Sequence, residues 1–187
     1  MLPALILVPT AHEAQLLGAM AAPVEVCGFG LAAAGAGAAY AIALHRPQRV
    51  VLAGVSGSYD LARAPLGWAM SASAVRCAGI GAGEQSAADL GWAESDQIEL
   101  RGGDGLVLSV ASASVDAAQA AQRHQQHPGA VVEEMEGYAV AVAATLNEVP
   151  LIVVRGVSNA AGDRDHSGWQ MQPAMNAVRA LVASMLG

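Results

Sequence analysis

The sequence predicts an α/β fold: a single domain over residues 1–187, built as three layers α/β/α around a central twisted sheet that is mostly parallel, though mixed. Two observations point there. Apolar runs of strand length, including Leu2–Pro9, Arg49–Gly54 and Leu151–Val154, read as strands buried on both faces. They are separated by segments of helical pattern, and that alternation marks a sheet covered by helices. No repeat or linker divides the chain, and 187 residues suffice for one sizeable core.

Composition narrows the class of partner. Charged residues make up 13% and hydrophobic ones 54%, against roughly 25% and 45–50% in ordinary soluble domains. Much of the apolar share is Ala and Gly. All nine basic residues are Arg, and the net charge of -7 argues against nucleic acid or an anionic membrane as the main partner. Cys27 and Cys77 lack metal-ligand spacing and read as buried thiols, with a single disulfide as the alternative. The opening MLPALILVPT has no positive leader region and fits a first strand. The charge-free run Val26–Leu44 is too rich in Gly and Ala to span a membrane. The expectation is a soluble, cytoplasmic protein.

Taken in order, the first strand, Leu2–Pro9, is followed by Thr10 and the helical segment HEAQLLGAM. Thr10 with Glu13 three positions on makes a capping box. Glu13 therefore has two readings, a helix cap or a ligand group at the mouth of a strand-to-helix turn. Val24–Leu31 reads as a short strand. Gly35-Ala-Gly37 opens a small-residue helix ending before Pro47; it lacks the third glycine of a dinucleotide fingerprint, so tight packing explains it better. Arg49–Gly54 is a strand, and Gly54–Gly57 a turn that lets a ligand approach the backbone.

Leu61–Glu99 is the least legible part, with a strand at Gly67–Val75, a loop at Gly79–Gly83, and Trp92 either lining a pocket or sealing a contact. Gly105–Ser114 is a strand and Asp116–His127 an amphipathic helix stopped by Pro128-Gly129. On that helix His124 and His127 have i, i+3 spacing but no third ligand nearby, so a solvated face outweighs a metal pair. Val131-Val132 is a short strand and Gly137–Leu146 a buried helix. Leu151–Val154 is the last strand, with Ser158-Asn159 just past its end. Gly162–Gly168 is a charged loop, and Met175–Leu186 a closing helix.

Three polar groups thus fall at or near strand ends: Glu13, Glu136 and the segment Arg155–Asn159. Each has an ordinary structural reading: a helix start, an ion-pair partner, a loop cap. Their joint placement points to a small-molecule enzyme.

These residues lie in segments that resemble the nucleoside phosphorylase and nucleosidase superfamily. EEMEGYAVA resembles its Glu-Met-Glu segment, VVRGVSN the strand that ends in Ser-Asp in adenine-releasing members, and VPTAHEAQLL the segment with a water-activating glutamate. VSN, GDRDHSGW and ADLGW are similar to the futalosine-cleaving branch, although the chain looks shorter, with deletions expected in Ser56–Ala82. The resemblance implies a nucleoside phosphorylase-like sheet, a small-molecule nucleoside substrate, no metal or organic cofactor, and a homo-oligomer. It implies that Glu136 holds the ribose hydroxyls and Met135 packs on the sugar. Glu13 would activate water, helped by Arg155. Glu134, Ser56 and Ser158 are further substrate-binding candidates, and Arg164 is a candidate partner for the distal part of the substrate. Asn159, an amide where relatives carry an acid, would donate a hydrogen bond to N7 or O6 of a leaving 6-oxopurine. A carboxylate at the first strand-to-helix turn suits water rather than phosphate. Adenine-releasing nucleosidase, phosphorylase and silent nucleoside-binding protein remain the alternatives.

Overall fold

The computed structural model describes residues 2–83 and 85–187; Met1, which opens the predicted first-strand run, and Glu84 lie outside them. The chain opens with β1 (Leu5–Val8), α1 (Ala11–Leu17), β2 (Val24–Val26), α2 (Gly30–His45) and β3 (Val50–Ser58). It continues through β4 (Ala69–Cys77), a small hairpin of β5 (Gly81–Ala82) and β6 (Gln85–Ser86), β7 (Gln97–Glu99) and β8 (Gly105–Ser109). The last part is α3 (Ala117–Gln126), β9 (Ala130–Glu134), α4 (Gly137–Leu146), β10 (Leu151–Ala160), a 3-10 turn (His166–Gly168) and α5 (Met171–Leu186).

Alternation along β1 shows why the sheet is covered twice. Leu5 and Leu7 pack with α2 and α4, whose Ala34, Ala38, Ala41, Val140 and Ala144 are buried. Ile6 and Val8 pack instead with Leu17 of α1 and Met175, Val178 and Val182 of α5. Successive side chains of a strand point to opposite faces, so a continuous apolar run needs a helix layer on each. This gives the predicted α/β/α arrangement.

The sheet is mixed. Strands β2, β1, β3 and β10 run parallel in that order, then β10 pairs antiparallel with β4. From β4 the parallel order continues to β8 and β9, and β9 returns antiparallel to β3 at Gly57↔Glu133 and Ser58↔Val132. One edge of β3 pairs with β10 along its whole length. The other is shared, with β1 on Val50–Leu52 and β9 on Gly57–Ser58. Strands β3, β10, β4, β8 and β9 therefore close a ring, and the carboxyl ends of β3 and β10 open into its mouth.

Several sequence expectations change. Gly54–Gly57 is strand rather than turn, and Ser158 and Asn159 lie within β10 rather than beyond it. Glu133 and Glu134 complete β9, β8 stops at Ser109, and the Val24–Leu31 strand ends at Val26. For Ser158, Glu133 and Glu134 the cause is that these polar groups find buried partners, so polarity did not signal a loop. Helix α2 begins at Gly30, with the predicted opening glycines inside it. Gly35 lets α4 approach, since a Cβ there would lie 3.3 Å from that of Ala139, while Gly37 lies against the Cys27 carbonyl. Helix α5 starts at Met171 and takes Pro173 into its first turn, where the missing N–H costs nothing. The Gly79–Gly83 loop contains β5, and β7 carried no readable signal.

Candidate active site

At the mouth of the ring lies a cavity of about 350 Å³, within the range of small-molecule sites. Eight of the nine predicted site residues line it: Glu13, Ser56, Glu134, Met135, Glu136, Ser158, Asn159 and Arg164. Arg155 does not; it is fully buried behind the wall. A chain segment is thus brought in from every quarter of the sequence.

Glu13 is placed by α1. The Thr10 side chain caps the helix, its Oγ1 accepting from the Glu13 N–H at 3.2 Å and donating to Glu13 Oε2 at 2.6 Å. Glu13 Oε1 accepts from the Val55 N–H at 3.0 Å. Glu13 thus sits in the cap, and its carboxylate lies on the cavity wall, 5% exposed.

Glu136 occupies the N-cap position of α4. Its Oε1 accepts from the Gly30 N–H at 2.9 Å, so it also receives the first turn of α2, which has no side-chain cap of its own. Oε2 lies 3.4 Å from Arg155 Nη2. Burial pushes the Glu136 carboxyl up to about 7; Arg155 opposes this rise, and Glu134 adds to it. Glu134 is engaged by the protein itself: its oxygens take Arg155 Nη2, Ser109 Oγ and the N–H groups of Glu136 and Gly137, the last two at 2.9 and 2.7 Å. It orients α4 and neutralises Arg155.

Arg155 pairs in register with Gly54 on β3. A Cβ on Gly54 would collide with Arg155 Nη1 and lie 2.9 Å from Glu13 Oε1, so glycine is what lets the guanidinium lie across the strand toward Glu13. Burial disfavours the Arg155 charge, but Glu134, Glu136 and Glu13 outweigh that and raise its pKa. Among the described residues its Nε and Nη1 have no hydrogen-bond partner.

Asn159 owes its position to a β-bulge in β10, where the register shifts between Val157 and Asn159. The extra residue, Ser158, lets two consecutive side chains face the cavity. Asn159 Nδ2 donates to the Ala160 carbonyl at 2.8 Å and Oδ1 accepts from Ser158 Oγ at 2.7 Å. A carbonyl can only accept, so the amide orientation is fixed, with one N–H and one lone pair left over.

The sequence missed several cavity residues. Phe29 and Trp169 both line it, the former 62% exposed. Arg164 reaches the roof with its guanidinium 5.0 Å from the Trp169 ring centroid, and His166 packs on the same ring at 4.2 Å. The quoted segment GDRDHSGW contained that tryptophan. Glu133 was also passed over, though it lines the cavity and is only 4% exposed. Of residues 56–99, only Ser56 and Gly57 reach the cavity among the described residues; Trp92 is 69% exposed and elsewhere. His124 stacks on Tyr59 at 4.9 Å. Cys27 and Cys77 are free and buried, their thiols pushed up by burial to about 12 and about 11. A second, more polar cavity of about 550 Å³ lies between the β5–β6 hairpin and α3 and contains none of the predicted site residues. No helix among the described residues is long and apolar enough to cross a membrane.

The family model described as the phosphorylase superfamily matches residues 16–187. A futalosine hydrolase of Streptomyces coelicolor is 34% identical over 151 residues, covering 73% of this chain and 64% of its own length. One from Acidothermus cellulolyticus is 38% identical over 81 residues, 43% of this chain and 33% of its own. The matches thus span less than two thirds of these relatives. Among solved structures, a 5′-methylthioadenosine/S-adenosylhomocysteine nucleosidase from Colwellia psychrerythraea in complex with adenine has a TM-score of 0.82 at 20% identity, covering 98% of this chain and 94% of that one. A futalosine hydrolase of Helicobacter pylori has a TM-score of 0.83 at 15% identity, covering 98% and 96%. At such identities the structural likeness concerns the fold.

Proposed function

Since the chain belongs to the phosphorylase superfamily, we propose that it is an N-glycosyl hydrolase that cleaves futalosine, a 6-oxopurine nucleoside, into hypoxanthine and dehypoxanthine futalosine, a step of menaquinone biosynthesis. The observation that carries hydrolysis is the charge arrangement at Glu13. A carboxylate stands where a phosphorylase would need cations, and the nearest guanidinium, Arg155, is already engaged by Glu134 and Glu136. Such a wall repels phosphate and suits water.

In this reading Glu136 orients the ribose through its 2′- and 3′-hydroxyls and favours the positive charge that develops on the sugar. Glu13 takes a proton from water as the water oxygen bonds to C1′, while Arg155, buried behind the wall, holds Glu134 and Glu136 in place. The C1′–N9 bond breaks with its electron pair passing to the base, where the free Asn159 N–H stabilises charge at N7 or O6. The base then takes up a proton. Met135, Ser56 and Ser158 shape the sugar and base walls, and Arg164 receives the distal carboxylate. Both curated relatives carry the same activity in their names, which supports the choice of futalosine.

We read the protein as cytoplasmic and as a homodimer or larger assembly; the exposed side chains of Tyr40 and Leu44 on α2 and Leu146 on α4 support the assembly. Light scattering coupled to gel filtration tests the assembly. The deciding assay incubates protein with futalosine, inosine and methylthioadenosine, with and without phosphate, and identifies the free base. Hypoxanthine from futalosine without phosphate supports the proposal; adenine from methylthioadenosine alone overturns it.

A further inference from the structure

Asn159 cannot by itself select a 6-oxopurine. Its remaining N–H suits O6 or N7, but its remaining Oδ1 lone pair would equally accept from a 6-amino group. Discrimination needs a second group, and the register of the sheet supplies one. Gly57 of β3 is the direct neighbour of Asn159 on β10 and of Glu133 on β9. Directly paired residues project to the same face, so the amide and the carboxylate flank a position with no side chain. At the usual strand spacing their backbones are roughly 10 Å apart. A Cβ on Gly57 would lie 3.4 Å from Asn159 Nδ2, which puts the amide over the glycine.

The hydrogen bonds of Glu133 are unevenly shared. Oε2 accepts three: Ser114 Oγ at 2.7 Å, Tyr59 Oη at 3.0 Å and Arg123 Nη1 at 3.0 Å. Among the described residues Oε1 accepts one, the Ser114 N–H at 2.8 Å. Each carboxylate oxygen has about two acceptor sites, so Oε1 keeps one open on a nearly dry cavity wall. Arg123, half paired with Ser114 Oγ at 2.9 Å, supplies the countercharge from α3.

We infer that Glu133 is the specificity-determining residue for the base: Oε1 accepts the N1–H of a 6-oxopurine while Asn159 donates to its O6 or N7. A 6-aminopurine presents a lone pair at N1, and a carboxylate with no proton repels it. The inference rests on the hydrolase reading for its substrate but concerns the base alone.

The test follows from the same bonds. In Glu133→Gln the three donors at Oε2 hold the amide carbonyl there, which turns the amide N–H₂ toward the cavity and reverses the polarity N1 meets. Calorimetric binding of hypoxanthine and adenine by wild type and variant reads this without catalysis. Wild type should prefer hypoxanthine, and the variant should lose at least about 10-fold in that preference. An unchanged preference overturns the inference. If wild type fails to cleave futalosine, the hydrolase reading falls, while the two binding ratios still decide the role of Glu133. Should the variant not fold, wild type decides it alone: binding N1-methylhypoxanthine as tightly as hypoxanthine overturns the assignment, and weakening of about 10-fold or more supports it.

Discussion

At the scale of single residues the site is a set of carboxylates with different environments, and the differences predict different mutants. Glu13→Gln keeps the shape and the Val55 N–H contact but removes the base; turnover should fall about 10²- to 10⁴-fold, with nucleoside affinity nearly kept. Stopped-flow turnover beside equilibrium binding checks both, and full activity would leave Glu13 as a cap alone. Asn159→Ala should reduce kcat by about 10²-fold or more, since it removes one donor to the leaving base. Glu13, Glu136 and Asn159 were legible because acids and an amide are rare in so apolar a chain. Glu133 was hidden in the same run of acids: nothing in EEMEG says which carboxylate shares a row of the sheet with Asn159, and that appears only with the register to Gly57. Arg155 was legible as a residue but not as a buried one.

At the scale of elements, the meeting of β3 and β10 at Gly54 and Arg155 sets the site. Gly54→Ala should push the guanidinium away from Glu13, because the new Cβ would collide with Arg155 Nη1. The expected loss of stability is about 1–3 kcal/mol, with a far greater loss of turnover than that would explain; urea melts and kcat on the same preparation compare the two. Strand existence was readable from apolar runs. Strand ends were not, because Ser158, Asn159, Glu133 and Glu134 are polar yet satisfied by partners that can lie far along the chain, such as Tyr59 Oη for Glu133 Oε2. The helices Ala117–Gln126 and Gly137–Leu146 were legible at both ends, since Asp116 caps the first and Leu146 precedes a stop in the second. The short strands around residues 81–99 have too few residues to show any period.

At the scale of the whole molecule, Glu136 ties function to stability with opposite signs. Its folded carboxyl sits near 7, above the ordinary value of 4.5. A raised carboxyl favours the folded state when protonated, so this contribution is complete below about 4.5 and is lost as pH rises through about 7. In the proposed mechanism sugar binding uses the charged form, so it should strengthen over that same rise, by up to about 10-fold per pH unit. Denaturation midpoints and nucleoside affinity measured from pH 5 to 8 should therefore move in opposite directions, and Glu136→Gln should flatten both. Affinity that does not change across this range would assign the sugar to another group.

The pairing of Arg155 with carboxylates drawn from earlier in the chain also bears on the order of assembly. Glu13, Glu134 and Glu136 all precede β10, and Gly30 meets Glu136 across 106 positions of sequence. A chain synthesised only as far as Pro150 holds three acids that must converge with no cation among them, and burying unpaired charge is costly. Those acids gain the Arg155 countercharge only from β10. A fragment ending before β10 should therefore not form this cavity wall, and nucleoside binding would report that the chain extends through β10.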